Sequence, residues 1–213
     1  MTPHESGLPR GTVYGTLLNF QREWSLWAPR MDQDPYKAPP KAPVLYVKTA
    51  NTFNASSELV LQDGVTEVEV GASLGLVMGE GGQPVALQLL NDWSVPHASY
   101  YRPPVKFRCR DGYLGLGGTR PWAQDVVDRL IITVQINGAQ VQTVNLSALV
   151  RPVAQLLADV GEFMTLQAGD MLMLGTDCLP DGTRPRARAG DTVQLSATGF
   201  APCVQQLVSG GAA

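Results

Sequence analysis

The sequence predicts a mainly β protein with few helices, and three observations carry that expectation. Residues 129–146 (RLIITVQINGAQVQTVNL) alternate apolar and polar side chains on both sides of Asn137-Gly138, the dipeptide that best supplies the left-handed turn of a tight hairpin. Short apolar runs recur at 12–20, 43–48, 85–90, 171–176 and 191–197, each of strand length. Only one segment reads convincingly as a helix: after Pro152, residues Val153, Leu156, Leu157 and Val160 recur at i, i+3, i+4 and i+7.

Taken in order, 12–20 (TVYGTLLNF) and 43–48 (PVLYVK) read as buried strands, joined across the proline-rich 35–43. Between them Trp24, Leu26 and Trp27 fit either a short helix or an aromatic loop, and periodicity does not decide. Residues 65–79 begin with imperfect alternation at Val65, Val68 and Val70 and turn continuously small and apolar, as an exposed strand end feeding a buried strand would. Gly79-Glu80-Gly81-Gly82 is a turn, and 85–90 returns. The Gly-rich DGYLGLGG at 111–118 lacks the Lys-Ser/Thr of a phosphate cradle and reads as a tight loop. No repeat and no linker divides the chain, so one domain is expected over 11–208, with a flexible start at 1–10 and a disordered tail at 209–213.

The composition excludes several classes. With 213 residues, 44% of them hydrophobic and 16% charged, and a formal charge of −3, the chain has no basic footprint for nucleic acid. Cys109, Cys178 and Cys203 lack CxxC spacing and read as reduced thiols. The start has no basic, then apolar, leader, and no run of 18 apolar residues occurs, so a soluble cytoplasmic protein without a membrane partner is expected. No GxSxG, P-loop, HExxH or nucleotide fingerprint is present. His4 and His97 are isolated and read as surface residues, and the aromatic excess at Trp24, Trp27 and Tyr100-Tyr101 suits a subunit interface or a closed lid.

The segments GTVYGTLLNF, DPYKAPPKAPVLYVKTANT, ASLGLVMG, YYRPPVKFRCRDGY, INGAQVQ and GEFMTLQAGDMLMLGT, with Asn91-Asp92-Trp93-Ser94, resemble the fumarylacetoacetate hydrolase superfamily over nearly the whole chain after residue 10. Within it the likeness is to the N-terminal half or subunit of the isomerase/decarboxylases of 4-hydroxyphenylacetate (homoprotocatechuate) breakdown. The resemblance implies that family's mixed β-sandwich roll. It also implies a site in which a Glu-x-Glu pair and one Asp hold Mg2+ or Mn2+, three carboxylates being a ligand set suited to such ions.

Here the resemblance matches Asp92 to the retained metal acid and places Gly71 and Ser73 where the two glutamates belong. Glu67 and Glu69 lie four residues away, about 13 Å along a strand, and are expected to be exposed-face acids. No tightly bound cofactor is therefore expected, with Mg2+ or Mn2+ present only if a non-standard ligand completes the site. Lys48 matches a lysine of the family's pocket strand, Arg108 a pocket lysine, and Thr176 a Gly-Thr turn that contacts substrate oxygens. Glu23 matches a lid histidine; it is a candidate proton carrier, with a solvated surface glutamate as the plainer reading. Val95-Pro96-His97 replaces a substrate-gripping arginine, and Lys48, Arg102, Arg108 and Thr176 remain to bind a small 2-oxo or 2-hydroxy dicarboxylate. The implied function is a subunit of a 2-hydroxyhepta-2,4-diene-1,7-dioate isomerase / 5-oxopent-3-ene-1,2,5-tricarboxylate decarboxylase, as a homo-oligomer or paired with a metal-bearing homologous subunit. The alternatives are a non-catalytic partner and an acylpyruvate-type hydrolase with unusual metal ligation.

Overall fold

Two β-sheets face each other, and the larger one is curled. The structure is a computed structural model, which describes residues 8–97, 99–101 and 104–210. With strands numbered along the chain, seven form one sheet in the order β2 (Val44–Lys48), β1 (Val13–Leu17), β11 (Met171–Met173), β6 (Ala72–Met78), β7 (Pro84–Asp92), β8 (Leu114–Pro121), β3 (Phe53–Asn54). Five form the second: β10 (Ala139–Asn145), β9 (Ile131–Ile136), β13 (Thr192–Ala197), β14 (Cys203–Ser209), β4 (Glu58–Leu61). A two-stranded ribbon pairs β5 (Val68–Glu69) with β12 (Arg186–Ala187). The helices are short: α1 (Gln21–Trp27), α2 (Val105–Arg108), α3 (Gln124–Arg129) and α4 (Val153–Gly161).

The outermost strands of the large sheet, β2 and β3, are separated in sequence only by residues 49–52. So short a link brings the two edges together, and the sheet becomes a roll with an inside and an outside. Strand alternation then sorts the side chains. Leu74 and Leu76 of β6, Leu87 and Leu89 of β7, and Leu172 point outward and pack against Ile132, Val134, Val193, Leu195 and Leu207 of the five-stranded sheet. Val13, Leu90, Leu114, Met171 and Met173 fill the inside. The expected helix is α4, with Pro152 as its N-cap and Val153, Leu156 and Val160 buried in the inter-sheet core.

The hairpin at Asn137-Gly138 forms as expected, with both residues at positive φ (52° and 79°) joining β9 to β10. The segment around Trp24 resolves as helix α1. Three expectations are corrected. Residues 114–118 are not a tight loop but the first part of β8, because glycine in a strand can mark close approach as well as a turn. A Cβ at Gly117 would lie 2.9 Å from the Cβ of Cys203, and one at Gly118 2.9 Å from that of Ala201, so these glycines let β8 lie directly on the second sheet. The tail begins later than expected: Ser209 closes β14 and the Gly210 amide donates to the Leu61 carbonyl (2.8 Å), while 211–213 lie outside the described residues. Residues 65–79 split at Gly71 into β5 and β6. Strands β4 and β14 have no counterpart among the expected elements. Of the expected flexible start, 1–7 fall outside the described residues.

Leu89 is fully buried between the sheets, whereas Val60 on β4 is half exposed. Leu89→Ala should lower the unfolding free energy by about 2–5 kcal/mol, and Val60→Ala by less than about 0.5 kcal/mol. Equal urea midpoints for the two variants would contradict the assignment of the inter-sheet core.

Candidate functional site

Three elements converge on the C-terminal end of β7. Asn91 and Asp92 end that strand: the Asn91 side chain accepts the Gly71 amide (3.0 Å) and the Asp92 amide donates to the Gly71 carbonyl (2.8 Å), which pins β7 to the start of β6. Strand β2 supplies Tyr46 and Lys48, and α2 supplies Arg108. Lys48 Nζ lies 2.9 Å from Asp92 Oδ1 and also donates to the carbonyls of Tyr113 (2.7 Å) and Arg108. Arg108 Nη1 and the Tyr46 hydroxyl both donate to Asp92 Oδ2, and the Arg108 guanidinium sits 5.0 Å from the centre of the Tyr46 ring. Gly15 makes room for that ring, since a Cβ there would run into it. Asp92, Lys48 and Arg108 are each only 1% exposed.

Burial opposes every charge in this knot, so ionisation survives only through mutual compensation. For Asp92 the burial penalty is outweighed by Lys48 and Arg108, with the Tyr46 hydrogen bond adding to them, and the carboxyl is held below its usual range. Burial dominates at Lys48, whose pKa is lowered despite Asp92, and at Tyr46, whose pKa is raised well above its ordinary value by burial and then by Asp92.

A second knot covers the first. Glu23 on α1 accepts the Leu18 amide at Oε2 (3.1 Å) and, at Oε1, the Tyr100 hydroxyl (2.6 Å) and Arg184 Nη2. Glu23 is therefore not a solvated surface glutamate; it is 1% exposed, because α1 turns this face inward onto Arg184. Burial, with Glu23 nearby, pushes Tyr100 up to about 12. Trp27 packs edge-on against Tyr100 (4.7 Å) and Tyr36 (6.5 Å), and these rings lie in one cluster with Leu17, Leu18, Met31 and Tyr46. The aromatic excess thus forms a cover on the side of the knot facing α1, with Tyr101 left more than half exposed.

Of the two positions that the resemblance matches to glutamates, Gly71 lies beside Asp92 and Ser73 pairs with Leu90 of β7. A Cβ on Gly71 would meet the Asp92 carbonyl oxygen and approach Thr176 Cγ2 at 3.1 Å. Ser73 is buried and donates to the Gly175 carbonyl (2.7 Å). Glu67 turns to Arg186 (2.6 Å) and Arg188 (3.2 Å). Glu69, expected on an exposed face, is buried instead: it alternates with Val68 and Val70 of the core, and burial raises its pKa. Among the described residues no three His, Cys, Asp or Glu side chains are placed to hold a metal ion. With Asp92 bonded to two cations and a phenol, and Gly71 closed against its backbone, the described donors do not fit a Mg2+ or Mn2+ site.

Of the sequence-derived candidates, Lys48, Asp92 and Arg108 come together, Thr176 borders them, and Glu23 joins the covering knot. Arg102 lies outside the described residues. His97 is half-buried, stacked on Phe107 (4.7 Å) with Nδ1 3.0 Å from the Val95 carbonyl oxygen. Sequence reasoning missed Tyr46, Tyr100 and Arg184. The tyrosines read as apolar strand and lid residues, and Arg184 sits in a DGTRPRA loop without pattern.

The fumarylacetoacetate (FAA) hydrolase C-terminal family matches residues 12–208. The chain is 35% identical over 209 residues to the 4-hydroxyphenylacetate degradation bifunctional isomerase/decarboxylase of Escherichia coli, covering 93% of this chain and 47% of that protein. It therefore spans about half the length of that relative. A 2,4-didehydro-3-deoxy-L-rhamnonate hydrolase of Sphingomonas is 29% identical over 73% of this chain and 61% of its own length. Among solved structures, fumarylpyruvate hydrolase from Pseudomonas aeruginosa, in complex with Mn2+ and pyruvate, superposes with a TM-score of 0.76 at 20% identity, covering 97% of this chain and 94% of that one. The 2-hydroxyhepta-2,4-diene-1,7-dioate isomerase from Mycobacterium marinum gives 0.73 at 18%, covering 96% and 77%. At these identities the structural likeness shows the fold.

Asp92→Asn would leave Lys48 and Arg108 buried without a counter-charge, and should destabilise the protein by about 3–5 kcal/mol in denaturant unfolding. Because the folded pKa of Asp92 lies below its unfolded value of about 3.9, its contribution is fully present above that pH and is lost as pH falls through the folded pKa. The variant should therefore lose less stability than the native chain between pH 5 and pH 3, to the order of one titrating group. Parallel pH–stability curves would rule out this role for Asp92.

Proposed function

The chain belongs to the fumarylacetoacetate hydrolase family, and on that premise we propose that it is a subunit of an isomerase/decarboxylase that takes small 2-oxo or 2-hydroxy dicarboxylates in aromatic catabolism. The expected substrates are 2-hydroxyhepta-2,4-diene-1,7-dioate and 5-oxopent-3-ene-1,2,5-tricarboxylate. The observation that carries this reading is the convergence of Lys48 and Arg108 on Asp92, at the position the family gives to a metal-binding acid. Both reactions build negative charge on an enolate oxygen, and fixed cations in a water-excluded site stabilise such charge without reorganising. In this reading Lys48 and Arg108 supply that charge and Thr176 adds a donor. Glu23 exchanges a proton by way of the Tyr100 hydroxyl it already binds. No metal takes part within this chain. The half-length match favours a working unit with a second such domain, as a homo-oligomer or with a metal-bearing homologous chain, in the cytoplasm.

A second reading, a non-catalytic partner subunit, draws on the same knot, since its charges already neutralise one another. Activity separates the two. The purified chain, with and without EDTA, should isomerise 2-hydroxyhepta-2,4-diene-1,7-dioate, and Arg108→Ala should lower kcat/KM by about 100-fold or more, the usual scale for loss of one such donor. Turnover restored only by adding a metal-bearing homologue would establish the partner reading instead. Titration calorimetry with Mg2+ and Mn2+ should reveal no site tighter than roughly millimolar, because a single, already paired carboxylate does not offset dehydration of the ion. A micromolar site abolished in Asp92→Ala would refute this metal-free chemistry.

A further inference from the structure

Arg108 uses only part of its donor set. Its Nη1 is committed to Asp92, yet Nε and Nη2, both sealed from solvent, have no hydrogen-bond partner among the described residues. Those two atoms form one edge of the guanidinium, the edge whose parallel N–H bonds match the two oxygens of a carboxylate. A buried fork without an acceptor is costly, and an anion bound along that edge would remove the cost. Arg184 shows the same pattern: Nη2 is held by Glu23 and lies 3.4 Å from the Tyr100 hydroxyl, while its buried Nε has no partner among the described residues. Arg184 is close enough to Arg108 to oppose its charge, so an anion received here would relieve a repulsion.

A cavity lies on the far side of two tyrosines from these donors. It has a volume of about 460 Å3 and is bounded by Tyr46 and Tyr100, with Leu17, Val44 and Val105 giving it an apolar wall. The Tyr46 hydroxyl is 3.2 Å from Arg108 Nη1, and the Tyr100 hydroxyl touches Arg184 as above, so the two tyrosines separate the cavity from the two arginines.

We propose that Arg108, through its Nε/Nη2 edge, and Arg184, through Nε, form a receptor for one carboxylate of a dicarboxylate whose hydrocarbon chain lies in the cavity between Tyr46 and Tyr100. The choice of ligand rests on the functional reading above; the receptor itself does not require turnover. Glu23 and Tyr100 are then positioning residues that hold Arg184 with Nε presented. Entry requires the two phenols to part, which the narrow packing of Trp27 on Tyr100 makes the controlling movement.

The test uses pimelate, a saturated seven-carbon dicarboxylate that cannot react. Calorimetry on the whole chain should give saturable one-to-one binding, weakened at least tenfold in Arg108→Lys, which keeps the charge beside Asp92 but not the fork, and several-fold in Arg184→Lys. Should either variant misfold, proton–nitrogen NMR of the arginine Nε–H groups in the native chain remains decisive: two buried resonances should move on adding pimelate. Absence of binding, Nε–H signals indifferent to pimelate, or a folded Arg108→Lys that binds as the native chain does would each overturn the receptor. Pimelate binding of the expected kind in a chain without turnover would keep the receptor and defeat the catalytic reading. Turnover by a native chain that does not bind pimelate would do the reverse.

Discussion

The burial of Asp92 between Lys48 and Arg108 is the constraint around which the site is arranged. An isolated carboxylate at this depth would be driven to its neutral form, and an isolated lysine or arginine would be as costly. Each charge is tenable only because the other two are in place, and they come from β7, β2 and α2. Strand β2 stands at one edge of the large sheet, with three strands between it and β7 in the pairing order. Contact between them is geometrically possible only inside a closed roll, so the curl of the sheet and the ionisation of the site depend on each other.

The same knot bears on the metal-binding position that the sequence resemblance assigns to Asp92. A divalent ion in a carboxylate cage and a pair of buried cations beside a single carboxylate both place positive charge at one point of the fold. Where the resemblance would place two glutamates the chain carries Gly71 and Ser73, and the Gly71 position lies against the Asp92 backbone.

Much of the fold was legible in the sequence because its signals are local. The Asn137-Gly138 turn, the α4 stripe and the apolar runs depend on neighbours within a few residues. Strand β8 was not legible, since its glycines serve a contact with Cys203 and Ala201 that lies far away in sequence. The site divides in the same way. Asp92, Lys48, Arg108 and Glu23 were found through motifs that the resemblance supplied, but the burial of Glu23 and Glu69 was not, because a single acid in a short element carries no periodicity to reveal which way it faces. Arg184 was invisible for the same reason: only the folded loop brings it to Glu23, across 161 residues of chain.

The short link between the sheet's edge strands also bears on how the molecule is made. Residues 46, 48, 92 and 108 meet only after strands from both ends of the sequence, β1 and β11 among them, have taken their places between β2 and β7. Such non-local closure is slow, because loop entropy must be lost before any contact rewards it. In a half-assembled roll the three charges stay in water, where they are comfortable, and nothing draws them inward until the last strand docks. Mispaired sheets that bury only some of these groups are penalised. The polar heart of the domain acts during folding as a proofreader of strand order, a service it renders whether or not any substrate is ever turned over.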